Sequence, residues 1–266
     1  MQEKNKILIG IVQGRLSNSP KNRLQFFPKN YEKEFKIAKK IGFDFIEFFT
    51  ERRLNKKNPI WKNKNNIYYE LSKKNNLKLH TFCDDHIISN SLLNDNYIKY
   101  LKKLITNIQK NKIKNLILPM YGKSLMTDSN YMNFIKKFKK ILNYNRNINI
   151  YLEGNIQPNT FKEIKNKINS KRLKFLFDSG NRSVLKRDLY EDLLSFKNEL
   201  GHIHIKDKNK YKVNVMLGKG TVDFKKFFLI LSKINYKGNL TLETSRGDNF
   251  LKSAKLNLKF VKKYLI

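Results

Sequence analysis

The 266-residue sequence predicts an α/β protein, a closed (β/α)8 barrel of TIM-barrel architecture forming one domain over residues 1–266. Three observations predict it. Eight apolar runs of strand length alternate with longer amphipathic stretches at roughly 33 residues per unit, the pattern of a closed parallel barrel. No Gly-rich dinucleotide fingerprint follows an early strand, which disfavours the open doubly wound sheet. No linker, low-complexity block or composition shift divides the chain.

The runs fall in order along the chain. The first half supplies ILIGIV (7–12), FDFIEFF (43–49), KLHTFC (78–83) and NLILPM (115–120). The second half supplies INIYLEG (148–154), KFLFDSG (174–180), HIHIKD (202–207) and NLTLETS (239–245). Between them lie helical patterns. In YEKEFKIAKKIG, Phe35, Ile37, Ala38 and Ile41 make one stripe and Gly42 supplies the stop. NYIKYLKKLITNIQK, NFIKKFKKILNY and DFKKFFLILSKIN read the same way.

Composition sets bounds on function. A net charge of +34 suits nucleic acid, because a dense basic surface attracts phosphate and releases counterions. Yet 47 of the 56 basic residues are lysine, scattered over every segment, and only 9 are arginine, the better fork for phosphate or guanine. Lys, Asn, Ile, Phe and Tyr are all abundant, as an A/T-rich coding sequence would produce, so charge alone decides nothing. The apolar runs are too short to span a bilayer. The start, MQEKNKILIGIVQGRL, reads as a first strand rather than a secretion signal. One cysteine, Cys83, excludes an internal disulfide framework, and the cytoplasm is the expected compartment.

In such a barrel, chemistry belongs at the C-terminal strand ends. Four polar residues sit there on the last four strands: Glu153 in YLEG, Asp178 in FLFDSG, His204 in HIHIKD and Glu243 in LTLETS. Alternation along a strand puts His202 and His204 on one face, about 7 Å apart, with His204 at the depth of the acids and His202 a core layer below. Three carboxylates converging in a barrel mouth repel one another and are costly to bury bare. One divalent cation resolves the conflict, and oxygen ligands with one imidazole suit Mn²⁺, Mg²⁺, Co²⁺ or Zn²⁺. The competing expectation is that these acids pair with lysines as ordinary salt bridges. Four in register on consecutive strands favour the metal.

GIVQGRL, GFDFIEFF, LEGN, DSGN, HIHIKD, LGKGTVDF and LTLETSR, in this order from residue 8 to about 247, together resemble the xylose isomerase-like TIM-barrel superfamily. DSGN, HIKD and LGKGTVDF are most similar to its L-ribulose-5-phosphate (L-xylulose-5-phosphate) 3-epimerases. The resemblance implies a sugar or sugar-phosphate isomerase or epimerase. It implies one metal held by Glu153, Asp178, His204 and Glu243, with Glu153 and Glu243 also serving as acid and base on a metal-stabilised cis-enediolate. An inosose-type dehydratase begins with the same proton abstraction and is the alternative. Apurinic-site endonucleases resemble the superfamily too, but their three-zinc centre needs more than four histidines, and a small-molecule partner is expected over nucleic acid. Self-association stays open.

The sequence departs from the pattern in places. Asn181 stands where relatives acting on free sugars carry histidine, GNIQPN lacks a further glutamate, and Lys208 stands where many relatives have arginine. The first two departures turn the expectation away from free ketoses, toward phosphorylated substrates or an untested class. Asn181 and Lys208 are expected to contact substrate, Lys208 as a point charge without the fork.

Further pocket residues are expected at other strand ends. HTFCDDH (80–86) reads as pocket wall, with Asp84 and His86 touching ligand, rather than as a zinc site or a cysteine nucleophile. Glu47 points into the barrel by alternation, and Gln13 and Arg15 end the first strand. LGKG (217–220) presents backbone N–H groups to an anion or is simply a turn. Arg246, just beyond Glu243, is the better-placed partner for phosphate or hydroxyl, and Trp61 is either a lid or packing.

Overall fold

The computed structural model describes residues 7–20, 23, 25–62 and 66–265; part of the leader reading, residues 1–6, lies outside them. The strands are β1 (Ile9–Val12), β2 (Phe45–Thr50), β3 (Thr81–Asp84), β4 (Asn115–Pro119), β5 (Asn149–Glu153), β6 (Leu173–Asp178), β7 (Leu200–Ile205), β8 (Asp207–Lys208), β9 (Asn214–Val215) and β10 (Leu240–Leu242). Eight of them close a parallel barrel in the order β1-β10-β7-β6-β5-β4-β3-β2, while β8 and β9 form a separate antiparallel ribbon. The eight expected runs are the eight barrel strands.

Among the described residues the helices are α1 (Tyr31–Ile41), α2 (Ile67–Lys74), α3 (Asp95–Lys110), α4 (Met132–Tyr144), α5 (Pro158–Ile168), α6 (Ser179–Ser183), α7 (Leu189–Ser195), α8 (Phe224–Lys233) and α9 (Phe250–Lys262). α1 ends with Gly42 as its C-cap, as the sequence predicts. One boundary differs instructively. HIHIKD reads as one strand, but β7 stops at Ile205, and Asp207 leaves the barrel to start the ribbon. The cause is the buried Asp207 carboxylate, which accepts from the amides of Gly218, Gly220 and Val222.

The chain divides into two compact units, Met1–Ile46 with Phe177–Ile266 and Glu47–Leu176, the cuts falling inside β2 and β6. In the first, Phe177 packs edge-on to Phe196 at 6.3 Å and lies 6.1 Å from Phe227 of α8. α8 buries Phe224, Phe227, Phe228, Ile230 and Leu231, a broad apolar stripe at helical spacing. In the second, α3 buries Ile98, Leu101, Leu104, Ile105 and Ile108, and Tyr68 stacks on Phe48 at 4.1 Å. Each such side chain, taken out of water, contributes about 1.5–3 kcal/mol.

The loop after β1 is fixed by two charged residues. Glu34 of α1 accepts from the amides of Gly14 and Leu16 at 2.8 and 3.1 Å and from Ser17 Oγ at 2.8 Å. Arg246 donates to the carbonyl of Gly14 through Nε and Nη2, at 3.0 and 2.7 Å, and to that of Arg23 at 2.9 Å. Together they hold Arg15 and Gln25 in place.

Candidate metal centre

β6, β7 and β10 deliver three of the expected ligands to one point in the first unit. Asp178 is the last residue of β6, His204 the fifth of β7, and Glu243 follows Leu242 of β10. In the register, Thr241 lies opposite His204, so Glu243 stands two residues beyond the histidine on the neighbouring strand. His204 Nδ1 is 3.3 Å from Glu243 Oε2 and 3.9 Å from Asp178 Oδ2. Asp178, His204 and Glu243 are 1%, 2% and 6% exposed, so the cluster is almost entirely dry.

The second carboxylate oxygen of Asp178 has a different task. Oδ1 accepts from the amide of Asn181 at 2.7 Å and caps α6. This fixes the carboxylate plane and leaves Oδ2 on the side of His204. The Asn181 backbone is thereby placed beside the centre.

Lys206 was not among the residues expected here. Its Nζ is 2.6 Å from Glu243 Oε2 and 3.1 Å from Asp178 Oδ2. The lysine pairing weighed against the metal therefore exists, through one buried side chain of the same strand run. Its signal was legible: residues 202, 204 and 206 share a face by alternation. Gln25 was missed as well. Its Nε2 donates to Glu243 Oε1 at 3.0 Å from an irregular loop, where no periodicity marks it.

Glu243 thus sits among cations. Arg15 Nη2 stands 3.6 Å from Oε1, opposite the oxygen that Lys206 and His204 approach. Burial opposes ionisation of Glu243, but Lys206, His204 and Arg15 outweigh it and hold the carboxyl well below the usual carboxylate range. The group is a carboxylate at neutral pH.

His202 is fully buried, shares a 2.7 Å hydrogen bond with Thr241 Oγ1 and lies 5.6 Å from His204 between ring centroids. It supports the layer beneath the centre. Gln13, 1% exposed at the end of β1, keeps both amide atoms buried with no hydrogen-bond partner among the described residues. A buried amide of that kind calls for a ligand or water.

In the second unit, Glu153 ends β5, 6% exposed, and its Oε1 accepts from Tyr121 Oη at 3.3 Å. Glu47 is buried and accepts from Thr81 Oγ1 at 2.7 Å. Asp84 has three hydroxyl partners. Its fully buried carboxylate accepts from the hydroxyls of Thr50, Tyr97 and Tyr100. Burial raises its pKa and those three donors oppose the rise. His86 Nδ1 bonds the carbonyl oxygen of Arg52 at 2.8 Å, and its ring lies 4.7 Å from Tyr100. Trp61 packs on the same tyrosine at 5.2 Å. Cys83 is buried, its Sγ 3.4 Å from Asp85 Oδ1.

Two basic residues expected at substrate have these surroundings within the protein. Arg246 spends donors on the carbonyls of Gly14 and Arg23 and lies over Phe26 at 4.9 Å, so its observed task is to anchor the loop. Lys208 belongs to the ribbon, pairing with Asn214 of β9. The LGKG amides do meet an anion, and it is the protein's own Asp207.

No helix among the described residues is long and apolar enough to cross a membrane. The family model described as xylose isomerase-like TIM barrel matches residues 35–264. The sequence matches no curated protein. Among solved structures, D-psicose 3-epimerase with D-tagatose from Clostridium cellulolyticum H10 superposes with a TM-score of 0.78 at 12% identity, covering 97% of this chain and 99% of the other. The 3-keto-D-glucoside 4-epimerase YcjR from E. coli gives 0.71 at 18% identity, covering 97% and 100%. The IOLI protein with a bound zinc atom gives 0.75 at 13%, covering 97% and 98%. At such identities the likeness establishes the fold.

Proposed function

Because the chain belongs to the xylose isomerase-like TIM-barrel family, we propose that it is a divalent-metal-dependent epimerase or isomerase of a ketose or ketose phosphate. The observation that carries this reading is the convergence of buried Asp178 and Glu243 on His204 at the strand ends. It is supported by the sugar epimerases among the similar structures and by the zinc in one of them.

The residues present fit a metal. Asp178 and Glu243 stand 3.9 and 3.3 Å from His204 Nδ1, and Glu153 is proposed as the further carboxylate ligand. Three carboxylates with one imidazole are donors for Mn²⁺, Mg²⁺, Co²⁺ or Zn²⁺. When bound, the ion supplies polarisation of a substrate ketone oxygen and charge for the oxygen that becomes negative.

The protein's own groups then do the proton work. Epimerisation beside a ketone removes a proton from one face of a carbon and returns one to the other face, which needs two groups on opposite sides. Glu243 and Glu153 are assigned these roles. Arg15 and Gln25 hold Glu243 through Oε1, which fixes the carboxylate against rotation. Tyr121 donates to Oε1 of Glu153 at 3.3 Å. Gln13 offers a buried amide to a substrate hydroxyl. Lys206, His204 and Arg15 keep Glu243 in its carboxylate form.

The test is a screen of ketoses and ketose phosphates by NMR in D₂O with Mn²⁺ present. Deuterium entering the carbon beside the ketone, lost in E243Q, is the expected result. A turnover that retains the original hydrogen overturns the acid/base assignment. No turnover of any ketose overturns the function.

A further inference from the structure

Lys206 brings into this centre a charge that the proton transfers do not use. It is 4% exposed and contacts Asp178 Oδ2 and Glu243 Oε2, the same two oxygen atoms that His204 Nδ1 approaches. An ammonium and a metal ion held by these residues would draw on one set of lone pairs.

The placement is built rather than incidental. Ser179 Oγ donates to the Lys206 carbonyl at 2.7 Å and accepts from the Lys206 amide at 2.9 Å, clamping the backbone in both directions. Gly180 leaves room for the stem: a Cβ there would meet Lys206 Cγ at 2.8 Å and Cβ at 3.0 Å. Asp178, Ser179 and Gly180 thus act as one device, in which an acid, a clamp and a gap seat one lysine. Two buried carboxylates facing each other without a counter-charge cost several kcal/mol each, and removing one partner from such a set leaves the others uncompensated.

We propose that Lys206 is the resident cation of this centre: its ammonium neutralises Asp178 and Glu243 when no divalent ion is bound, and competes with that ion for the same oxygens. The inference rests on the metal-dependent reading. It explains how an acidic, dry cluster folds before an ion arrives. Deleting the amine therefore acts in opposite directions, weakening the metal-free protein and tightening its hold on metal.

Wild type, K206M and G180A are stripped with a chelator, freed of it, and titrated with MnCl₂ by calorimetry and by thermal unfolding. K206M is expected to melt about 5 °C or more below wild type without metal. It is also expected to bind Mn²⁺ on the order of ten-fold more tightly, so that saturating metal raises its Tm by more than it raises that of wild type. K206M that folds only with Mn²⁺ present is the extreme of the same outcome. G180A keeps the charge and displaces the stem, and shifts both quantities the same way by less. Unchanged metal-free Tm with unchanged affinity in K206M overturns the proposal, as does weaker Mn²⁺ binding, which makes the lysine an organiser of ligands. If no variant binds Mn²⁺, Co²⁺ or Zn²⁺ while K206M still melts lower, the metal reading fails together with the competition, and charge pairing alone is left.

Discussion

Asp207 Oδ2 accepts a hydrogen bond from the amide of Gly220 at 2.8 Å, and Gly218 donates to the same oxygen at 3.0 Å. A glycine-punctuated loop that looks ready to cradle an external anion has been folded around an internal one. The strand that carries His204 thereby ends at Ile205, one residue before Lys206.

This relationship predicts the cost of adding a methyl group at Gly220. A Cβ there would meet Asp207 Oδ1 at 2.2 Å and the carbonyl oxygen of Lys208 at 2.4 Å, and a backbone atom cannot swing aside. G220A is expected to lose about 1–3 kcal/mol, read as a lower urea midpoint with unchanged slope. Inorganic phosphate should give the wild-type loop no protection, because its amides are already taken.

Neutralising the proposed base separates chemistry from folding. E243Q and E153Q keep side-chain shape and are each expected to lower turnover on the order of 10²-fold or more, with the circular dichroism spectrum retained. Turnover near the wild-type rate in either variant would remove that residue from the proton path.

The β1 loop gives a pH signature. Burial pushes the Glu34 carboxyl up to about 6 from 4.5, partly opposed by the amides of Gly14 and Leu16 and by Ser17. A carboxyl whose folded pKa is raised holds its proton longer in the native state. Its contribution is therefore largest at low pH and falls as pH rises from 4.5 through about 6. The loss is about 2 kcal/mol. E34Q should flatten that segment of the pH–stability curve, as measured by urea unfolding at pH 4.5 to 7. It should also lower stability throughout, since an amide cannot accept all three donors.

Asp84 offers a contrast to the proposed acid and base. Thr50, Tyr97 and Tyr100 all donate to its buried carboxylate, so D84N points an amide donor at a hydroxyl that has lost its acceptor. The expected result is a loss of about 1–3 kcal/mol in stability. KM for any ketose turned over should stay near the wild-type value. A raised KM at unchanged stability would return Asp84 to the pocket wall.

The order of the eight strands and the face each polar residue takes were set by the sequence alone. Chain order fixes which βα unit follows which, and the period of two fixes which side chains point together, as with His202, His204 and Lys206. Asp178, His204 and Glu243 could be picked out because each closes an apolar run. Tertiary structure decided which partners they meet. Gln25 reaches Glu243 across 218 residues from a loop with no period, and Arg246 reaches Gly14 across 232. Asp84 and Asp207 look in sequence like the acids of the centre. Their carboxylates are satisfied by hydroxyls in the one case and by loop amides in the other. A pattern along the chain records direction. Whether a buried charge faces a ligand, a lysine or a ring of hydroxyls depends on what the closed barrel brings alongside it, since a buried charge keeps whichever partners cancel its desolvation.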